Sequence, residues 1–229
     1  MQQGRRACIV VGAVGAKTAL LAVCEGDVRE VLRHRPELDR DAAKRFAERL
    51  TGRALEGAED GTLGEDSNPA DGVLFALSLP CLEILCDCSV AVDNLSTLPA
   101  RFTRVPNRRV VVHAMHSVVD WFALGVWDGG ALSVSPGQGV IEDVGAHLPF
   151  EAPFWAGEHP VDEDGDQDGE NSYPPPFHPL ELGEEALHAF LGCRLEGAPT
   201  EIDPFEVQMA GFRVVRGRSF VERVRGWLD

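Results

Sequence analysis

Short apolar runs bounded by turn residues predict the strands of this chain. The run ALLAV at 19–23 predicts a buried strand, and the runs at 73–79, 81–86 and 89–92 predict three more. Periodicity alone does not separate such short runs from a buried helical turn, so that alternative stays open at this stage.

The clearest strand signals lie in the middle of the chain. RRVVVHAM at 108–115 is followed by DWFALGVW at 120–127, and Asp128-Gly129 separates this run from ALSVS at 131–135. An Asp-Gly pair between two apolar runs is a strong signal for a β-hairpin. The middle of the protein is therefore predicted to be an antiparallel meander.

Two helices are predicted in the first quarter of the chain. Asp27 is placed to cap a helix over 28–33, and Glu30 completes a capping box. Asp39 is predicted to open a second helix, which Gly52 ends. The apolar face of this second helix has helical spacing and consists of Ala43, Phe46, Ala47 and Leu50.

The last quarter of the chain predicts two helices around one strand. A helix is expected over 184–191, with Glu184 in its first turn, and a strand over 205–215. A capping box at Ser219 and Glu222 predicts a final helix.

Two polar segments interrupt these elements. Residues 56–72 are rich in Gly, Asp and Glu, which predicts a solvated loop. Residues 157–171 carry seven carboxylates and no Lys or Arg, and an acidic loop is therefore expected over 157–176. The fold prediction is α+β: a largely antiparallel sheet with a few short helices packed on it, forming one domain over 14–229.

Composition and charge limit the kinds of partner that the protein can bind, and they say little about its fold. The chain has 229 residues, and 37 acidic against 21 basic side chains give a formal net charge of −16 at pH 7. Such a field repels phosphate backbones and anionic lipid, so neither nucleic acid nor a membrane is an expected partner. Another protein remains a possible partner.

The six cysteines lie partly in apolar runs, where a free thiol behaves as a small hydrophobic group. Cys86-Asp87-Cys88 lacks the two intervening residues typical of a zinc motif. Reduced core thiols in a cytoplasmic protein are the resulting prediction.

Two sequence motifs are present only in part. The Gly-rich stretch 12–18 is similar to a phosphate-binding loop, but Val11 and Ala16 stand where that loop requires glycine. The stretch 164–169 has the alternating carboxylates of a calcium loop, yet Pro175 stands where the bidentate Glu belongs. Neither fragment predicts a bound cofactor, and none is expected.

A set of histidines and carboxylates forms the candidate pocket. Two His and a carboxylate suit zinc or iron with an open position for water. On a continuous strand, however, His113 and His116 would point to opposite faces, because side chains alternate along a strand. The candidate residues, none of them assigned a catalytic or ligand role, are His113, His116, Asp120, Glu158, His159 and His178.

Several segments together resemble a known family. These are GAKTALLAV at 15–23, MHSVVDWFALGVWDGG at 115–130, FWAGEHP at 154–160 and PFHPLELGEEAL at 176–187. They resemble an uncharacterised bacterial family, a domain of unknown function. The resemblance implies no activity, cofactor or catalytic residue. It does imply that the domain begins near Val14, so that residues 1–13 are an extension.

The sequence supports three functional hypotheses. The first is a non-catalytic binding or regulatory protein, because no catalytic motif is complete. The second is a metal-dependent hydrolase that uses the histidines and carboxylates of the candidate pocket. The third is a nucleotide-binding protein, and it depends on the incomplete Gly-rich stretch alone.

The first prediction concerns the extension. Deleting residues 1–13 should leave the melting temperature nearly unchanged, because the resemblance places the start of the domain after them. Calorimetry of the full and shortened chains measures this. A drop of more than ~5 °C, about 1–2 kcal/mol for a domain of this size, would show that the CIVV run is a core strand.

Overall fold

A computed structural model of the chain describes residues 16–134, 148–160 and 175–215. Within this part of the chain nine strands form an antiparallel sheet. The order is β2-β9-β4-β5-β1-β6-β7-β8, and β3 pairs with β9 beside it. The strands are β1 (Lys17–Cys24), β2 (Leu55–Gly57), β3 (Gly61–Thr62), β4 (Val73–Ser78), β5 (Leu82–Cys86), β6 (Arg109–His116), β7 (Trp121–Asp128), β8 (Ala131–Val134) and β9 (Gln208–Val214).

Six short α-helices accompany the strands in the described ranges, which confirms the predicted α+β class. They are α1 (Arg29–Arg33), α2 (Arg40–Thr51), α3 (Leu63–Asp66), α4 (Ala100–Thr103), α5 (Ala152–Trp155) and α6 (Pro179–Leu191). The two longest, α2 and α6, cover opposite faces of the sheet.

The alternation of side chains along β1 shows how the two faces arise. Leu21 and Val23 belong to the core beneath α2, together with Phe46 of that helix. Leu20 and Ala22 belong to the core beneath α6. Because the central strands are buried on both faces, they are continuous apolar runs in the sequence.

The α2 helix forms as its sequence predicts. The side chain of Asp39 accepts a hydrogen bond from the backbone N–H of Ala42, which caps the N-terminus. Gly52 ends the helix in the left-handed conformation at φ +69°.

Helix α1 corrects one prediction. Its N-cap is Val28 and carries no capping side chain, so the expected box of Asp27 and Glu30 does not form. Asp27 instead accepts from the backbone N–H of Arg29 and pairs with its guanidinium at 2.6 Å. The hydrogen bonds from Arg29 hold the pKa of Asp27 at about 2.

Helix α6 begins five residues earlier than predicted. His178 is its N-cap, and Pro179 occupies the first helical position, where the missing N–H costs nothing. Glu184 therefore lies in the middle of the helix rather than in its first turn. Gly192 ends the helix as expected, at φ +76°.

Two further predictions are wrong. The run at 89–92 is not a strand, because Asp87 accepts from the N–H of Ser89 and starts a 3₁₀ turn over Cys88–Val90. The region 56–72 is not a plain loop, since it contains most of β2, all of β3 and α3. Thr62 caps α3 by accepting from the N–H of Glu65.

Some predictions fall outside the described residues. These concern the extension at 1–13, most of the acidic loop at 157–176 and the final helix after Ser219. Within the described ranges, no helix is long and apolar enough to cross a membrane. Cys24, Cys86 and Cys193 are buried free thiols, and burial raises the pKa of all three, that of Cys193 to about 12.

Candidate functional site

Five of the six candidate residues lie at one end of the sheet, and the sixth is buried next to it. At this end β1 begins, β6 ends and β7 begins. Strand β6 continues without a break through His116, which pairs with Lys17 of β1 and Trp121 of β7. His113 and His116 are three residues apart on one strand, so their side chains project to opposite faces.

His113 is part of a buried polar bridge. Its Nε2 lies 2.9 Å from the carbonyl oxygen of Gly183, and its Nδ1 lies 2.8 Å from Thr18 Oγ1. A carbonyl oxygen only accepts, so the ring proton is on Nε2 and the Thr18 hydroxyl donates to Nδ1. Burial lowers the pKa of His113 to about 4, which keeps the ring neutral.

A hydroxyl that donates to an imidazole is also found in catalytic pairs. Here, however, the pair is not accessible to a substrate. Thr18 is 2% exposed and His113 is 1% exposed. A substrate carbonyl does not reach a hydroxyl that is enclosed to this extent. The bridge therefore serves to connect β1, β6 and α6.

Gly183 allows the helix to come this close. A Cβ at this position would lie 2.9 Å from Met115 Sδ and 3.1 Å from the ring of Phe122. Any side chain would push α6 away from the sheet and lengthen the hydrogen bond from His113.

A pocket of about 320 Å³ lies beside the β6–β7 connection. We call it the β6–β7 pocket. It is lined by Thr18, Asn68, Ala91, Asp93, Met115, His116, Val119 and Trp121. Its size is at the small end of the range for ligand pockets, and it combines apolar side chains with a few polar groups, as such pockets do.

Of six buried side-chain atoms without a hydrogen-bond partner in the described ranges, three lie in or next to the lining of this pocket. His116 Nδ1, Ser117 Oγ and Trp121 Nε1 are buried and have no hydrogen-bond partner in the described part of the chain. An unpaired buried donor or acceptor costs about 1–3 kcal/mol, so three within six residues require an explanation.

The connection itself is unusual in two further respects. Val118 and Val119 expose 72% and 66% of their surface. Asp120 adopts the left-handed conformation at φ +47°, which Asp tolerates better than most residues. The turn thus presents two apolar side chains to solvent next to the pocket.

A second depression, of about 520 Å³, lies on the other side of the sheet end, along α6. We call it the α6 groove. Its lining includes His159, His178, Glu181, Glu184 and Arg194. The ring of His159 stacks on Phe154 with the two centroids 4.1 Å apart.

His178 has a structural role, because it caps the N-terminus of α6. Its Nδ1 accepts from the N–H of Leu180, so the proton of the neutral ring is on Nε2. That nitrogen lies 3.8 Å from Asp120 Oδ1, which is beyond hydrogen-bond distance but close enough for electrostatic attraction. Neither nitrogen offers the free lone pair that a metal requires without loss of the cap.

Glu184 is the perturbed carboxyl of the α6 groove. Burial raises its pKa to about 7, although Oε2 accepts a hydrogen bond from the N–H of Leu195 at 2.8 Å. Oε1 is buried and has no partner among the described residues. Its neighbour Glu185 is paired with Arg194 and His188 instead.

The candidate residues do not form one cluster. His159 and His178 share the α6 groove, Asp120 faces His178, and His116 lies in the β6–β7 pocket. Glu158 is exposed, and its described contact is a backbone hydrogen bond to Pro153. Over the described ranges, no group of three or more His, Cys, Asp or Glu side chains is placed to hold a metal ion.

Sequence reasoning missed Asn68, Asp93, Glu184 and Trp121 as candidate site residues. Asn68 and Asp93 come from separate loops, and no local motif marks them. Trp121 did carry a signal, because it directly follows the polar turn that ends at Asp120. A tryptophan at such a position needs a partner for its indole N–H.

The architecture defines a three-layer α+β protein, with an antiparallel sheet between helices and a small polar pocket at one end. The chain belongs to a family of unknown function, DUF6928, whose family model matches residues 18–212. This confirms the resemblance to a domain of unknown function. Neither a curated protein nor a solved structure matches the chain.

The second prediction tests the His113 bridge. The folded-state pKa of about 4 lies below the ordinary 6.5, so the unfolded chain binds a proton first as the pH falls. Stability should therefore decrease between about pH 6.5 and pH 4. In His113→Gln this pH-dependent loss of stability is absent. The difference in unfolding free energy between wild type and His113→Gln should therefore shrink by about 3 kcal/mol as the pH falls over that window.

Urea unfolding at four or five pH values measures the difference. His34→Gln is the control, because His34 is largely exposed and should leave the wild-type profile unchanged. Parallel profiles for wild type and His113→Gln would mean that His113 binds its proton as readily in the folded protein as in the unfolded chain.

The third prediction concerns Glu184. Its folded-state pKa of about 7 lies above the ordinary 4.5, so the stability that the protonated form contributes is lost as the pH rises through that interval. Glu184→Gln imitates the protonated acid. The variant should gain melting temperature relative to wild type at pH 8 and little at pH 5.

Differential scanning calorimetry at the two pH values provides the comparison. The control is Glu181→Gln, an exposed carboxyl of the same helix and groove. An equal shift for both variants would assign the effect to net charge rather than to burial of Glu184.

Proposed function

We propose that this protein is a non-catalytic binding protein and that its ligand occupies the β6–β7 pocket. The observation that carries the proposal is the pair of ring nitrogens, His116 Nδ1 and Trp121 Nε1, in two side chains that line the pocket. Neither has a partner among the described residues, and a ligand would satisfy both.

The exposed turn supports a partner that extends beyond the pocket. Val118 and Val119 lie next to it and are largely exposed. A ligand that enters between Val119 and Trp121 would also bury apolar surface of the turn. Burial of apolar surface contributes about 25 cal/mol per Å², so even a small ligand would gain affinity there. A segment of another protein fits this surface, and the cytoplasm is the compartment we propose.

The metal-dependent hydrolase is the weaker hypothesis. It requires at least three ligands at one point. His113 is buried with both nitrogens hydrogen-bonded, His178 caps α6, and His116 points to the opposite face from His113. These three histidines therefore do not meet at one point.

The nucleotide-binding hypothesis also loses its chemical basis. In a phosphate-binding loop, the Thr hydroxyl contacts the magnesium ion. Here Thr18 lies inside β1 and donates its hydroxyl to His113. The net charge of −16 further disfavours phosphate groups and nucleic acid.

The fourth prediction tests the pocket as a binding site. In ¹⁵N-labelled protein, the four tryptophans give four indole N–H signals, and Trp121→Phe identifies the one from Trp121. In a screen of neutral, cationic and anionic small molecules, binding probes should move the Trp121 signal. The Trp155 signal should stay in place, because Trp155 lies outside the pocket lining.

Metal analysis of chelator-free protein distinguishes the binding protein from the metal-dependent hydrolase. A binding protein should contain less than one zinc, iron or manganese ion per chain, and His116→Ala should not change that content. Stoichiometric metal that is lost in His116→Ala would favour the hydrolase hypothesis instead. A screen in which probes move only signals of the α6 groove would place the binding site there.

A further inference from the structure

We infer that the ligand of the β6–β7 pocket carries an ammonium group next to a carbonyl group. This combination occurs at the free N-terminus of a peptide and in small amino-acid amides. The inference rests on the proposed binding function of the pocket, and it adds the chemical class of the ligand.

The ammonium group is inferred from charge. Asp93 contributes the carboxylate of the pocket lining, and its side chain is exposed with no hydrogen bond or ion pair to any described residue. The lining contains no Lys or Arg side chain from the described ranges. A charge-assisted hydrogen bond from an ammonium group to Asp93 is about twice as strong as a neutral one. The net charge of −16 also attracts cations to this surface.

The carbonyl group is inferred from the indole of Trp121. An indole N–H donates only, so its partner must be an acceptor. A carboxylate or phosphate would accept, but Asp93 in the same lining would repel either one. A neutral carbonyl oxygen is the acceptor that the charge of the site allows. Asn68, which both donates and accepts, suits the other side of an amide.

The apolar part of the lining limits the rest of the ligand. Ala91, Met115 and Val119 provide its apolar side chains, and the volume of about 320 Å³ accommodates a small side chain such as that of alanine or valine. The nitrogens of His116 and Trp121 are buried beneath the surface of the pocket. A ligand therefore has to move a covering side chain, and Val119 is 66% exposed and moves at little cost in packing.

The test uses four probes with the ¹⁵N-labelled protein: alaninamide, N-acetylalaninamide, N-acetylalanine and the peptide Ala-Val-Ala-Val with a free N-terminus. Alaninamide and the peptide should bind and move the Trp121 indole signal. Acetylation removes the ammonium group and should weaken binding at least tenfold, since a charged hydrogen bond is lost.

Two variants test the assigned contacts. Asp93→Asn should weaken binding of alaninamide about tenfold, whereas Glu56→Gln removes the same unit of charge at the far edge strand β2 and should have little effect. Trp121→Phe keeps the aromatic ring, deletes the N–H and should weaken binding about three- to tenfold. Trp155→Phe is its control. Because the Trp121→Phe variant lacks the Trp121 signal, calorimetric titration measures its affinity and that of the other variants. Equal affinity in wild type, Asp93→Asn and Trp121→Phe would overturn the inference.

The probes also distinguish a wrong ligand class from a wrong binding function. If N-acetylalanine or N-acetylalaninamide moves the Trp121 signal and the amines do not, the ligand class is wrong and the binding function stands. If no probe and no member of the screen moves that signal, both are wrong. A peptide that binds at least tenfold more tightly than alaninamide identifies a polypeptide N-terminus as the source, and equal binding identifies a small amine.

Discussion

The pairing of β1 with strands on both sides is the constraint on which the rest of the structure depends. β1 pairs with β5 through Leu20–Cys24 and with β6 over its whole length. The first strand of the described chain therefore joins two hairpin units, β4–β5 and β6–β7, that both lie far from it in sequence. Such non-local pairing costs loop-closure entropy, which is recovered only when the core on both faces is complete.

The register of β1 on β6 also determines where chemistry is possible. It sets Thr18 diagonal to His113, close enough for the hydroxyl to donate to the imidazole. It pairs Lys17 with His116, and these two side chains share the face of the sheet opposite to that of His113. One histidine is thereby fixed in a buried bridge to α6 at Gly183, and the other remains at the pocket. A shift of one residue would turn both imidazoles to the opposite faces and break the bridge from His113 to Gly183.

Much of the fold follows from the sequence pattern, and the site follows from it only in part. The central hairpins and α2 are predictable because local signals and tertiary packing agree there. The run at 89–92 misleads because the cap at Asp87 outweighs its strand propensity. The separation of His113 from His116 follows from strand period alone. The joining of Asn68 and Asp93 at one pocket does not, since it depends on the sheet order and on two loops without a motif.

The location of the unfavourable groups supports the assignment of the site. Three unpaired buried polar atoms and a left-handed Asp120 fall within residues 116–121. Together they cost several kcal/mol, at about 1–3 kcal/mol for each orphaned group. In the middle of β1 or β6, such a cost would disrupt pairing on both sides. At the connection between β6 and β7 only the last ladder pair, His116 with Trp121, is affected, so the fold tolerates the cost there. Local conflicts with stability that gather at one accessible position, next to a pocket, are typical of a functional site.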